Sequence, residues 1–181
     1  MTRGIVWSLA LALALALAAI APAAVAQALY SPPEADFSVA FPGPPRVQVE
    51  PAIKSHDIGR RRYMAQEPNG AYIVSIDEYP DGQLPQLVDA GVYDHILRDH
   101  AGDNPTRLVS TKPARLAGRP CLEGTFHQPD GVVEVIRVLV IGDRIYELTF
   151  AHSEEADRPD AASAFFGSFK LTPANRPTAP G

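Results

Sequence analysis

Ten consecutive residues, Val132 to Ile141, constrain this chain more than any other stretch. All but Glu134 and Arg137 are aliphatic, most of them β-branched, and turn residues flank the run on both sides. That pattern reads as a strand. Side chains of a strand alternate between its faces, so Val132, Ile136, Val138 and Val140 point one way. Val133, Val135, Leu139 and Ile141 point the other. A strand apolar on both faces is normally covered on both, which disfavours a sheet with one wet face.

The flanking turns are Asp130-Gly131 and Gly142-Asp143. Gly and Asp tolerate positive φ, and each pair predicts a two-residue hairpin. Arg119 to Gln128, Val132 to Ile141 and Arg144 to His152 then form a three-stranded meander. Counting from the turns sets Phe126 opposite Val135, His127 opposite Glu134 and Val140 opposite Ile145. Two amphipathic segments are available to cover it. From Leu87 to Ala101, Val88, Val92 and Ile96 recur at helical spacing, with Leu87, Tyr93 and Leu97 beside them. A second helix is expected from Pro159 to Phe166, with Phe169 and Leu171 closing the core.

Earlier strands are expected at Phe37 to Phe41, Arg46 to Glu50, Arg60 to Gln66 and Ala71 to Tyr79. One or two extended pieces follow between Thr106 and Ala117. Proline, with 18 copies, ends several of them, because it lacks the N–H that a ladder needs. Pro68-Asn69-Gly70 marks another hairpin. The expected class is α+β, a twisted antiparallel sheet covered by helices on both faces, in one domain over residues 30–171. Residues 172–181 read as a disordered, Pro-rich tail.

The N-terminus reads as an address. Arg3 precedes an uncharged run from Ile5 to Ile20, Pro22 breaks its helix, and Ala24-Val25-Ala26 sets small residues at −3 and −1 of a signal-peptidase site. Residues 1–26 are therefore expected to be a signal peptide. A second site would cut after Ala28, and a retained anchor is the alternative, since Ile5 to Ala26 spans 22 uncharged residues. The only cysteine, Cys121, lies far from the cleavage site, which excludes a lipoprotein anchor and an internal disulfide. A net charge of −5 argues against nucleic-acid binding. The membrane is expected as a partner only through an uncleaved leader, and an envelope protein is the partner class this address implies.

Several phrases along the chain are shared with known proteins. They are Phe37 to Pro45, Tyr72 to Pro80, Gly118-Arg119-Pro120, Arg144 to Leu148 and Phe165 to Leu171. In that order they resemble a broad group of exported bacterial proteins of unknown function, similar in turn to the PsbP-like superfamily. The resemblance covers most of residues 30–171 and implies a PsbP-like α/β/α sandwich. Its characterised members are mostly non-enzymatic accessory or binding proteins. None of the shared phrases is a catalytic motif, so no binding residue carries across.

Chemistry-bearing residues are scattered. Cys121 would need a nearby base and a lowered pKa to act as a nucleophile, and a small buried side chain in a strand is the simpler reading. His95 and Asp99, at i and i+4 on the helix, could share a metal ion but lack a third ligand at a defined spacing. Asp94, His100 and Asp103 add to what reads as a solvated face. His127 with Glu134 reads as an exposed cross-strand pair. In the basic run Arg60-Arg61-Arg62, the outer two share a face, giving a narrow anion patch or a charged edge strand that blocks aggregation. No nucleophile elbow, P-loop, dinucleotide fingerprint, Cys-x-x-Cys or His-Glu-x-x-His occurs. No catalytic, cofactor-binding or metal-binding residue is assigned and no cofactor is implied. The expectation is an exported binding or accessory module, with a small periplasmic enzyme built on a His/carboxylate or Cys121 site as the alternative.

Overall fold

The computed structural model describes residues 28–52, 57–84, 91–101, 107–156 and 158–173. The expected leader, the first turn of the helix begun at Leu87, Asp103 and most of the tail lie outside them.

Ten strands and two helices follow one another in the described chain. The strands are β1 (Ala28–Tyr30), β2 (Phe37–Phe41), β3 (Arg46–Glu50), β4 (Gly59–Glu67), β5 (Gly70–Glu78), β6 (Arg107–Leu116), β7 (Arg119–His127), β8 (Val132–Ile141), β9 (Arg144–Ser153) and β10 (Lys170–Leu171). The helices are α1 (Val92–Ala101), between β5 and β6, and α2 (Pro159–Ser168), between β9 and β10. Seven strands form one sheet in the order β3-β4-β5-β9-β8-β7-β6, and β1-β2-β10 form a second. Every pairing is antiparallel. The large sheet is two meanders joined where β5 pairs with β9, a contact between segments some seventy residues apart.

The β8–β9 turn has the expected register, with Val140 opposite Ile145 and Gly142 at φ 56°. The β7–β8 turn does not. Phe126 pairs with Glu134, and His127 with Val133. Gln128 donates to the Val132 carbonyl at 2.8 Å, and Gly131 donates back to the Gln128 carbonyl at 3.1 Å. Pro129 therefore belongs to a three-residue loop that ends on Gly131 at φ 80°, a tight turn followed by a left-handed residue. The extra loop residue shifts β7 against β8 by one place. In β6 the ladder runs straight through Pro113, opposite Leu122, which is tolerated because β6 is the sheet's edge. Strands β1 and β10 carry too few residues to show a period.

Alternation sorts the core into two clusters. Tyr63, Tyr72, Val74, Ile76, Leu139, Tyr146, Leu148 and Phe150 of the large sheet pack with Phe37, Val39 and Phe41 of β2, Phe165 and Phe166 of α2, and Phe169. Full burial of each such side chain contributes about 1.5–3 kcal/mol. Its rings meet mostly edge-on or tilted, as between Tyr72 and Phe165 at 5.2 Å. Tyrosine hydroxyls at this face donate to carboxylates at the rim: Tyr72 to Glu67 at 2.6 Å, Tyr146 to Asp36 at 2.8 Å. Glu123, buried nearby, accepts from Lys112 at 2.9 Å and Arg137 at 2.8 Å.

The second cluster gathers Leu84, Leu97 of α1, Phe126, Ile136, Val138 and Ile145. The helix approaches β7 closely because Gly124 has no side chain. A Cβ there would lie 3.0 Å from both methyls of Leu97. Among the described residues, no helix is long and apolar enough to cross a membrane.

Candidate functional cleft

On the side of the sheet that carries α1, the helix sits over β6, β7 and β8 and leaves β4, β5 and β9 beside it. The alternation that buries Tyr63, Tyr72 and Leu148 on the far side turns a polar set toward α1. Register places these residues in rows. Arg60, Asp77 and Ile145 form one, Arg62, Ser75 and Glu147 the next, and Met64, Ile73 and Thr149 a third. Between this floor and α1 lies a cleft of about 460 Å³, with Ile96, Asp99 and His100 on the helix side and Glu134 and Tyr79 also lining it. That volume lies within the range of small-molecule sites.

His100 is the hinge of the cleft's electrostatics. Its Nε2 lies 3.3 Å from Glu134 and its Nδ1 3.8 Å from Glu147, and its ring packs on Phe126 at 5.1 Å. The two carboxylates respond in opposite directions. The hydrogen bond from His100 holds Glu134 below the usual carboxylate range. Burial pushes Glu147 above it, helped by the charge of Asp77 and opposed by His100, Arg60 and Arg62. Asp77 is buried and held by Arg60, which forks onto both its oxygens.

The sequence's candidate residues are largely dispersed. His95 and Asp99 do pair, at 3.2 Å, but with side chains 74% and 68% exposed they form a solvated helix-face contact. Glu134 is not the partner of His127. The loop residue Pro129 turns His127 elsewhere, 3.8 Å from Glu154, and leaves Glu134 to His100. Cys121 is buried in the aromatic cluster, and burial pushes its thiol up to about 11, the reverse of an activated nucleophile. The three arginines do split between faces. Arg60 and Arg62 line the cleft, while Arg61 donates to the Glu34 carbonyl at 3.2 Å. They do not lie on an edge strand, because β3 pairs outside β4.

Among the described residues, no group of three or more His, Cys, Asp or Glu side chains is arranged to hold a metal ion. Sequence reasoning missed Asp77, Glu147 and His100 as a set. The available signal was the polar alternates in strands read only for their apolar ones: Arg60 and Arg62, Ser75 and Asp77, Glu147 and Thr149.

A smaller cleft of about 250 Å³ opens on the opposite side, lined by Lys112, Arg137, Arg158 and His152 among others. Its cations are already engaged. Lys112 and Arg137 hold Glu123, Arg158 holds Glu67, and Arg137 lies 4.4 Å over the Phe166 ring.

No protein-family model matches the chain, and no curated protein matches it by sequence. Solved structures do. The solution structure of cyanobacterial PsbP (CyanoP) from Synechocystis sp. PCC 6803 aligns with a TM-score of 0.51 at 15% identity, over 86% of this chain and 98% of that one. A crystal structure from Bacteroides thetaiotaomicron aligns with a TM-score of 0.46 at 11% identity, over 82% of this chain. The present chain spans about half of that protein, 49% of its length. LpqN, involved in cell envelope biogenesis of Mycobacterium tuberculosis, aligns with a TM-score of 0.39 at 17% identity, over 74% of this chain and 87% of that one. The likeness to cyanobacterial PsbP concerns the fold, and the antiparallel arrangement described above is PsbP-like.

Proposed function

We propose that this protein is an exported, non-catalytic binding or accessory module. In this reading it is a PsbP-like α/β/α sandwich with helices on both faces of the sheet, and the cleft beside α1 takes a small polar ligand. The observation that carries the reading is the polar floor of the cleft. Glu147 and Thr149 sit opposite Val138 and Ile136, which are apolar and buried, and Ser75 lies beside Glu147 in the same row. A shielded carboxylate with no cation within hydrogen-bond distance costs stability, and groups kept at such a cost cluster at functional sites. Binding is favoured over catalysis because both ring nitrogens of His100 face carboxylates, so neither is aimed at a hydroxyl nucleophile.

The test is amide and side-chain NMR of the protein against pools of polar small molecules. Shifts confined to Ser75, Glu147, Thr149 and His100, with the ligand recovered chemically unchanged, support the module. No response in the cleft from any pool overturns it. One observation favours a second reading, a small periplasmic enzyme. Glu134 and Glu147 have proton affinities pushed apart around a shared histidine, the pattern of an acid and a base. Turnover of the bound ligand, lost in Glu147→Gln, would select that reading.

Export is part of the proposal, with an envelope protein as the macromolecular partner and the membrane engaged only through an uncleaved leader. The single tryptophan, Trp7, lies within the leader. Cleavage after Ala26 leaves a protein with tyrosine-like emission whose mass begins at Gln27. Tryptophan emission from membrane-bound full-length chain would instead make it an anchored domain.

A further inference from the structure

The charged groups of the cleft divide into those already spent on one another and those that are not. Arg60 is committed to Asp77 through two hydrogen bonds, and Glu134 to His100. Asp99, largely exposed, pairs with His95, and two groups of opposite sign are left. Among the described residues Arg62 forms an ion pair only with Glu50, at 3.9 Å, on the outer strand β3 where that carboxylate is exposed. Among the described residues the one ion pair of Glu147 is with His100 Nδ1, at 3.8 Å, on a ring whose other nitrogen already serves Glu134, while Arg60 and Arg62 act on it only from a distance. Both contacts exceed hydrogen-bond length.

Arg62 and Glu147 stand in one row with Ser75 between them. Two strand spacings, roughly 9.5 Å, separate their backbones. No ion pair joins them among the described residues. The cleft thus presents an unspent cation and an unspent anion about the length of a small molecule apart, with hydroxyls of Ser75 and Thr149 on the floor.

Resting on the reading of this cleft as a ligand site, we infer that it takes a zwitterionic amino compound, a free amino acid or a short peptide. The ligand carboxylate sits on Arg62 and its ammonium on Glu147. A simple anion would meet Arg62 but also face Asp77, Glu134 and Glu147. A simple cation would meet Glu147 and leave the partly exposed Arg62 guanidinium without a ligand counter-charge. A neutral polyol would displace water from both charges and neutralise neither, which is costly in a shielded site. A zwitterion satisfies the two ends together, and the guanidinium suits bidentate capture of a carboxylate.

The experiment is calorimetric titration of protein made from the full chain with alanine, dialanine, N-acetyl-dialanine and dialanine amide. At least one of the two zwitterions is expected to bind, which also decides between a free amino acid and a peptide. Each blocked dialanine is expected to bind at least tenfold more weakly than its parent if the peptide is the ligand. N-acetylalanine and alanine amide replace the blocked pair if the free amino acid is. Arg62→Gln should abolish the preference for the free acid over the amide while keeping that for the free amine. Glu147→Gln should do the reverse. Because Glu147→Gln removes a shielded charge, it should melt no lower than the parent, so its loss of binding is not a loss of fold. Blocked and free ligands binding alike overturns the inference. So does failure of both zwitterions while another polar ligand shifts Ser75 and Thr149, an outcome that leaves the binding-module reading standing. Failure of every polar ligand removes both.

Discussion

The two sides of the seven-stranded sheet are built from the same strands and obey opposite rules. On one side β4, β5 and β9 present Tyr63, Tyr72, Val74, Tyr146, Leu148 and Phe150, all essentially inaccessible to water. The polar atoms there are led outward to rim carboxylates such as Glu67 and Asp36. One residue along each strand, the other side presents Arg60, Arg62, Ser75, Asp77, Glu147 and Thr149, partly sheltered by α1. The difference teaches where the stability of this fold resides. An aromatic cluster with its polar atoms satisfied supplies it, and that surplus lets the opposite side hold a carboxylate whose ionised form is penalised.

The comparison breaks most visibly at its aromatic side. Phe165 is fully buried between Phe41, Tyr72 and Phe166. Phe165→Ala should cost about 3–5 kcal/mol, read as a lowered urea midpoint with unchanged slope. A loss under ~1 kcal/mol would mean that the cluster does not carry the fold.

Next in size is the turn that decides which partner Glu134 meets. Gly131→Val forces a β-branched residue to φ 80° and should destabilise by about 1–3 kcal/mol. Histidine NMR should also report disturbance at His100, since the β7–β8 register sets its contact with Glu134. An unchanged midpoint would contradict the three-residue loop.

A smaller effect of opposite sign is expected in the cleft. Glu147 binds its proton more readily in the native state than in the unfolded chain. Its ionised form therefore costs stability above the folded pKa, and that cost is relieved as pH falls through it. Glu134 is lowered, so its contribution is complete above the ordinary carboxylate range and is lost as pH falls through its folded value. Glu147→Gln should accordingly raise the midpoint at neutral pH, with the advantage shrinking on acidification. Glu134→Gln should lower it, most at neutral pH. The groups facing Glu147, namely Asp77, Arg60, Arg62 and His100, must be intact in both comparisons. A Glu147→Gln protein less stable than the parent at neutral pH would show that its carboxylate is structural.

The smallest effect should come from Ser75→Ala, on the floor between the unspent charges. It is expected within about 0.5 kcal/mol, against several kcal/mol three residues back along the same strand on the aromatic side. Thermal melts of Ser75→Ala and Tyr72→Ala side by side would measure that contrast directly.

Local chemistry was enough to read the elements. Period-two alternation marked β2 and β5, an apolar run bounded by turns marked β8, and Gly142-Asp143 fixed its hairpin to β9 through positive φ. The double apolar face of Val132 to Ile141 anticipated two core clusters, and both exist. Where a loop could hold two residues or three, sequence alone chose wrongly, since Pro129 can end a strand or enter a turn and only the ladder distinguishes them. The cleft was further out of reach. His100 and Glu147 meet because β5 pairs with β9 across the chain and because Gly124 lets Leu97 settle α1 onto β7. Those contacts are set by long-range packing, which no spacing along the chain records. The sequence therefore determined which residues must avoid water, and the tertiary structure alone decided which charges would be left facing one another.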